Sequence, residues 1–193
     1  MIDKYGFDDF GRPSKPLYFM NLCFEIAKRS LDPHTKCGAI ITDNSGAILS
    51  TGYNSPPMGS LDMNIPKTST EKYDYFEHAE RNAIYLASRR GVSLENSIFY
   101  VTGLPCMECL RGIIQVGANK VIYGPLTASM TDGKYLNKYS NLLFGHKIIV
   151  QMFLYTDGLI KMNPGVEETI KDRNFIDIQK YVKGPKYEQK KTR

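Results

Sequence analysis

The chain has 193 residues, four cysteines and a formal net charge of +5. That length can bury a core without disulfide staples, and no apolar run approaches the roughly 18 residues a membrane span requires. The opening MIDKYGFDDFGRP has no basic-then-apolar leader, so a stapled secreted scaffold and an integral membrane protein are both set aside, and a reducing, cytoplasmic setting is expected.

Residues 17–31, LYFMNLCFEIAKRSL, place Met20, Phe24, Ala27 and Leu31 at helical spacing. They predict an amphipathic first helix ended by Asp32 and Pro33. CGAIITDNSGAILSTGYN (37–54) offers two apolar stretches around the turn cluster Asp43-Asn44-Ser45-Gly46, the pattern of a β-hairpin. The next stretch, SPPMGSLDMNIPKTSTEKYDYFE (55–77), holds three prolines and no sustained period. It reads as a long loop that is either functional or disordered.

A second helix opens at HAERNAIYLASRRG, with Ala79, Ala83, Ile84 and Ala87 in helical pattern and Gly91 as the stop. SIFYVTG (97–103) reads as a buried strand, CMECLRGIIQVG (106–117) as a helix with Ile113 and Ile114 inward, and NKVIYG (119–124) as another strand. Strand, helix and strand in that order make a β-α-β unit with a parallel pair and a right-handed crossover. KIIVQMFLY (147–155) offers one more strand. Hairpin and crossover unit together predict a mixed central β-sheet with helices on both faces, an α/β class, three-layer α/β/α sandwich. The expected division is a domain over 1–155 and an extension of unassigned role over 156–193. From Lys171 onward basic residues gather and the chain ends in KKTR. A solvated tail accounts for this, and a weak phosphate or nucleic-acid contact is the sharper alternative.

PCMEC (105–109) carries the first half of a candidate site. Cys106 and Cys109, at i and i+3 of a helix, face one side. They sit where a strand hands over to a helix, the edge at which open α/β sheets usually bind ligands. Unpaired amides at the helix start favour thiolates over thiols. Alone, the pair fits a redox couple or half of a structural zinc site equally well.

HAE carries the second half, because it too opens a helix after a loop. In a helix interior His78 and Glu80 would point to nearly opposite sides. At the first turn both can look past the helix end, His78 toward a metal and Glu80 toward a water beside it. His78, Cys106 and Cys109 then make three protein ligands with a fourth position open, the catalytic arrangement for zinc. Glu80 is the candidate proton carrier.

H-x-E followed by P-C-x-x-C is the signature of zinc nucleobase deaminases. RSLDPHTKCGAII (29–41), STGYNSPPMG (50–59), EKYDYFEHAERNAI (71–84) and YVTGLPCMECLRGIIQVGANKVIYG (100–124) extend the likeness. Over roughly residues 17–124 the chain resembles the cytidine deaminase superfamily, and within it most the deoxycytidylate branch. The resemblance implies a cytidine-deaminase-like fold, one catalytic Zn2+ per subunit, a small nucleotide substrate, a homo-oligomer, and hydrolysis of dCMP to dUMP with release of ammonia. It also implies that Asn54 contacts the sugar, and that Arg29, Ser30 and Lys72 are the candidates for the 5′-phosphate. Asn54 as a strand-end turn residue, and the other three as ordinary polar surface, remain alternatives.

By the same likeness the loop after Asn54 is a candidate region for allosteric dCTP or dTTP. PLTASMTDGKYLNKYSN, after Gly124, lacks the family pattern. Cys23, His34 and Cys37 read as core or loop residues, not as a second metal site, and His146 as structural. The competing enzyme readings are a deaminase of tRNA or single-stranded nucleic acid, and one of a free base or nucleoside such as guanine or cytidine. A structural zinc or partner-binding module is the non-enzyme alternative, and it has no use for Glu80.

Overall fold

The computed structural model describes residues 7–68, 70–124 and 133–153. The expected extension over 156–193, its basic tail and the boundary at 155 lie outside the described residues. Helix α1 (Lys15–Ala27) starts where Ser14 caps it, Oγ accepting from the Leu17 amide at 3.4 Å, with Pro16 in the first turn where its missing N–H costs nothing.

α1 ends earlier than its hydrophobic spacing predicts. The amides of Lys28, Arg29 and Ser30 reach carbonyls three residues back, at 3.2, 3.0 and 2.9 Å, so the helix tightens into a turn. That turn carries Ser30 and Asp32 inward to 2% and 3% exposure and swings Leu31, expected in the core, out to 38%.

The hairpin forms as expected from β1 (Gly38–Thr42) and β2 (Ile48–Tyr53). Strands β3 (Ile98–Val101), β4 (Lys120–Tyr123) and β5 (Ile149–Met152) complete one sheet in the order β2-β1-β3-β4-β5. β1 is antiparallel to both its neighbours, while β3, β4 and β5 run parallel. α2 (Ala79–Arg89), α3 (Met107–Gln115) and α4 (Gly133–Leu143) follow the loops between them, and two short 3-10 turns at Asp62–Asn64 and Thr70–Asp74 interrupt the long loop.

Strand alternation sorts the core into two layers. Ile40, Tyr100 and Ile122 face α1 and pack with Phe19, Met20 and Cys23. Ala39, Ile41, Phe99, Val101, Val121 and Tyr123 face the other way, onto Ala83 and Ala87 of α2, Leu110 and Ile113 of α3, and Tyr139 and Leu143 of α4. Each fully buried large apolar side chain here stabilises the fold by about 2 kcal/mol. The result is the expected α/β/α sandwich with a mixed sheet.

Helix α4 was not anticipated. Tyr135, Tyr139, Leu142 and Leu143 do follow helical spacing, but the segment is rich in Lys, Asn and Ser and is opened by glycine. Gly52 fixes the seat of α2: a Cβ there would stand 2.2 Å from the Ala79 carbonyl oxygen and 2.6 Å from the Ala83 amide. Glycine therefore lets the first turn of α2 lie directly on β2.

Candidate functional site

Two helix starts meet beyond the carboxyl end of β3. His78 is the N-cap of α2, in extended conformation and with no side-chain cap bond, so its ring is free to turn away from its own helix. Cys106 is the N-cap of α3, its sulfur accepting from the Cys109 amide at 3.5 Å, and Pro105 stands just before the cap. The strand-to-helix turn expected from PCMEC is thus in place.

Nδ1 of His78 lies 3.5 Å from Sγ of Cys106 and 3.5 Å from Sγ of Cys109. The three donor atoms all lie within 4.8 Å of one another. A tetrahedral zinc with bonds of about 2.05 Å to nitrogen and 2.3 Å to sulfur sets its nitrogen and sulfur donors about 3.6 Å apart. The donor chemistry and spacing fit zinc. All four cysteines are free thiols, so the pair is not spent on a disulfide.

Electrostatics favour a cation at this point. A hydrogen bond from Cys109 together with those from His78 and the Cys109 amide outweighs burial and brings the Cys106 thiol down to about 3. The same contact, with burial, holds Cys109 well above its ordinary value. Contact with Cys106 raises His78. Glu80 is 5% exposed, and burial pushes its carboxyl up, partly offset by its own amide, the His78 ring and a hydrogen bond with Cys109. A carboxyl raised in this way is prepared to hold a proton as well as to take one.

The expected substrate residues divide. Ser30, Asn54 and Lys72 come together in one buried polar network. Oδ1 of Asn54 accepts from the Cys37 amide at 2.7 Å and its Nδ2 donates to the Thr35 carbonyl at 2.8 Å. Oγ of Ser30 donates to the Asn54 carbonyl at 2.8 Å and accepts from the Asp32 amide at 3.1 Å. Nζ of Lys72 pairs with Asp32 Oδ2 at 2.7 Å. These three therefore hold the 30–37 loop, and Lys72 is not the free surface cation its residue type suggests.

Arg29 is placed elsewhere. It is exposed and lines a groove of about 340 Å3 with Leu31, Tyr53, Ser55, Asn82 and Leu86, a lining that includes neither Ser30 nor Lys72. Cys37 packs against the core as expected, and its thiol is pushed up to about 12 by burial and by the Glu80 carboxylate. One residue near the centre was missed by sequence reasoning. Tyr135, from the unanticipated α4, donates its hydroxyl to the Pro105 carbonyl at 3.3 Å, and burial with the two nearby sulfurs pushes it up to about 12. The i, i+4 pair Tyr135 and Tyr139 was the signal available for that helix.

A mixed sheet whose carboxyl edge receives a histidine and two cysteines from paired helix mouths defines a zinc-binding α/β protein. Residues 13–125 match the family model described as the cytidine and deoxycytidylate deaminase zinc-binding region. The chain belongs to that family, and its metal is Zn2+.

Deoxycytidylate deaminase of Homo sapiens is 38% identical over 114 residues, which are 56% of this chain and 63% of that protein. Probable deoxycytidylate deaminase of Drosophila melanogaster is 39% identical over 117 residues, 55% of this chain and 57% of that protein. The matched stretch thus spans less than two thirds of either relative. Among solved structures, the dCMP deaminase of cyanophage S-TIM5 in apo form superposes with a TM-score of 0.55 at 25% identity, over 74% of this chain and 99% of that one. Its complex with dCMP and dUMP gives 0.54 at 26%, over 70% and 94%.

Proposed function

We propose that the chain catalyses the hydrolytic deamination of dCMP to dUMP, with His78, Cys106 and Cys109 holding the zinc and Glu80 moving the protons. The observation that carries this reading is the placement of a buried carboxylate two residues beyond the histidine of a three-donor cluster. The relatives named for deoxycytidylate and the phage enzyme solved with dCMP and dUMP support the choice of substrate.

When bound, zinc supplies an activated water by lowering its pKa toward about 7. Glu80 would take a proton from the attacking water as its oxygen adds to C4 of the cytosine ring, and deliver it to N3. As the C4–N4 bond breaks, the second water proton passes through the same carboxylate to the departing amine, so dCMP and water become dUMP and ammonia. The raised Glu80 carboxyl suits both duties, since burial lets it gain a proton more readily than an exposed carboxylate.

Asn54 keeps one lone pair and one N–H beyond its two backbone bonds, the valence that a sugar hydroxyl needs. Ser30 and Lys72 serve the nucleotide by fixing the 30–37 loop against which Asn54 is hydrogen-bonded, and Arg29 is the exposed cation among the phosphate candidates. A homo-oligomer, control by dCTP or dTTP and a cytoplasmic location belong to the same proposal. Among the described residues no helix is long and apolar enough to cross a membrane.

Incubation of zinc-loaded protein with dCMP, deoxycytidine, guanine and a tRNA anticodon stem, followed by ammonia assay, tests the reading. Release from dCMP alone is expected. Release from the RNA or from guanine without dCMP turnover refutes the substrate, and release from none refutes the activity.

A further inference from the structure

The three metal donors come from two helix starts that are 28 and 31 residues apart in sequence. Their spacing therefore depends on how the first turn of α2 is held against the first turn of α3. The position of Arg81 bears directly on that. Its Nε hydrogen-bonds Oε2 of Glu77, the residue before His78, and its Nη1 donates to Oε2 of Glu108 at 2.8 Å, between Cys106 and Cys109.

One rigid guanidinium plane thus joins the residue preceding the imidazole donor to the residue lying between the two sulfurs. Arginine suits this role because its N–H groups leave the plane in fixed directions, whereas a lysine ammonium is a single point on a flexible stem. The Arg81 side chain is only 19% exposed, against 31% for Glu77 and 65% for Glu108, so the cation is shielded on the side of the helices. Its charge also separates two carboxylates that would otherwise repel across the gap. The i, i+4 spacing of Glu77 and Arg81 secures one arm within the helix start, and the Glu108 arm is the one that crosses between helices.

We propose that Arg81 is a positioning residue of the zinc centre, clamping the α2 and α3 mouths at the separation the metal requires. The inference rests on the reading of His78, Cys106 and Cys109 as the ligands and adds to it a residue that touches neither metal nor substrate. Partners that orient metal ligands typically change affinity by about 10- to 100-fold when removed. The exposed Glu108 arm puts Arg81 near the lower end of that range.

The test is zinc affinity, measured by competition against a chromophoric chelator, for the parent, Arg81→Ala, Arg81→Lys, Glu108→Gln and the Arg81→Ala/Glu108→Gln pair. Cobalt-substitution spectra and the melting temperature of each metal-free protein are read alongside. Arg81→Ala is expected to weaken zinc binding about tenfold, and Glu108→Gln about threefold. Arg81→Lys should restore only part of the loss. In the paired variant the Glu108 change should add nothing further, and the cobalt bands should shift wherever affinity falls.

Glu108→Gln alters an exposed side chain and keeps the test decisive even if Arg81→Ala does not fold. The clamp is overturned if Arg81→Ala and Glu108→Gln bind zinc within twofold of the parent with unchanged cobalt spectra, whatever happens to the metal-free melting temperature. A parent protein that binds no zinc sinks the ligand assignment itself. A parent that binds normally beside variants that bind equally well sinks only the clamp.

Discussion

Nζ of Lys72, from the long loop, lies 2.7 Å from Oδ2 of Asp32, just past α1, and both residues are buried. The other Asp32 oxygen accepts from the amides of His34 and Thr35 at 2.9 and 3.1 Å. This pair joins the long loop to the segment that supports Asn54. Removing one partner strands a buried charge, which costs about 3–5 kcal/mol, whereas removing both charges is far milder. Lys72→Met is therefore expected to lose about 3 kcal/mol in urea unfolding, and Lys72→Met/Asp32→Asn to recover most of it. A single variant as stable as the parent would show that the pair anchors nothing.

The same pair sets a pH dependence. Burial raises the Asp32 carboxyl, but the Lys72 ammonium and the two amides outweigh it and hold the group below its ordinary value. As pH falls the unfolded chain takes up this proton first. The contribution is thus complete above about pH 4 and is lost as pH falls through the lower folded value. In urea midpoints taken from pH 6 to pH 2.5, Asp32→Asn should give a flatter curve than the parent below about pH 4. Equal slopes would contradict the assignment.

In the proposed reaction Glu80 serves turnover and not metal binding. It supplies none of the three donor atoms, so Glu80→Gln should retain parental zinc content by elemental analysis. The rate of dUMP formation should fall about 1000-fold, the middle of the range for losing a positioned general acid–base. Parental turnover would remove the carboxylate from the mechanism, and loss of zinc would move it into the ligand set.

Most of the architecture was legible because short-range chemistry set it. The Asp43–Gly46 turn cluster, the period-two strands and the two helix starts each act over a few residues, and the β1–β2 and β3–β4 pairings follow from the hairpin and the β-α-β unit, whereas the β1–β3 and β4–β5 pairings that join them do not. The metal donors were legible because HAE and PCMEC sit at those starts. What stayed hidden depended on long-range pairing. Lys72 reads as a surface cation until folding brings Asp32, forty residues earlier in the chain, against it. Leu31 belongs to a helical stripe by spacing, but the tight turn after Ala27 turns it outward. Tyr135 was lost because α4 is rich in Lys, Asn and Ser and joins the core through Tyr139 and Leu143, with Tyr135 and Leu142 only partly buried.

The cysteines should separate by face of the sheet. Cys109 is a donor on the α2–α3 side, so Cys109→Ala should abolish tight zinc binding in the chelator assay. Cys23, fully buried between α1 and the sheet, hydrogen-bonds the Tyr100 carbonyl at 3.2 Å instead. Cys23→Ala should lower stability by about 1–2 kcal/mol from lost packing and a lost hydrogen bond, with zinc content unchanged. A loss of zinc from the Cys23 variant would mean that the two layers are not independent.

Gly52 is where strand packing reaches the metal most directly. Alanine there would press its Cβ onto the backbone of Ala79 and Ala83, and the helix must retreat from β2, because neither contact is with a flexible side chain. His78 caps that same turn, so retreat moves its ring away from two sulfurs held on a different helix. Overpacking of this kind costs about 1–3 kcal/mol. Gly52→Ala should thus melt earlier and also bind zinc more weakly than a surface variant chosen for equal loss of stability. Zinc affinity matching that of the stability-matched control would show that α2 yields at its far end and leaves the centre intact.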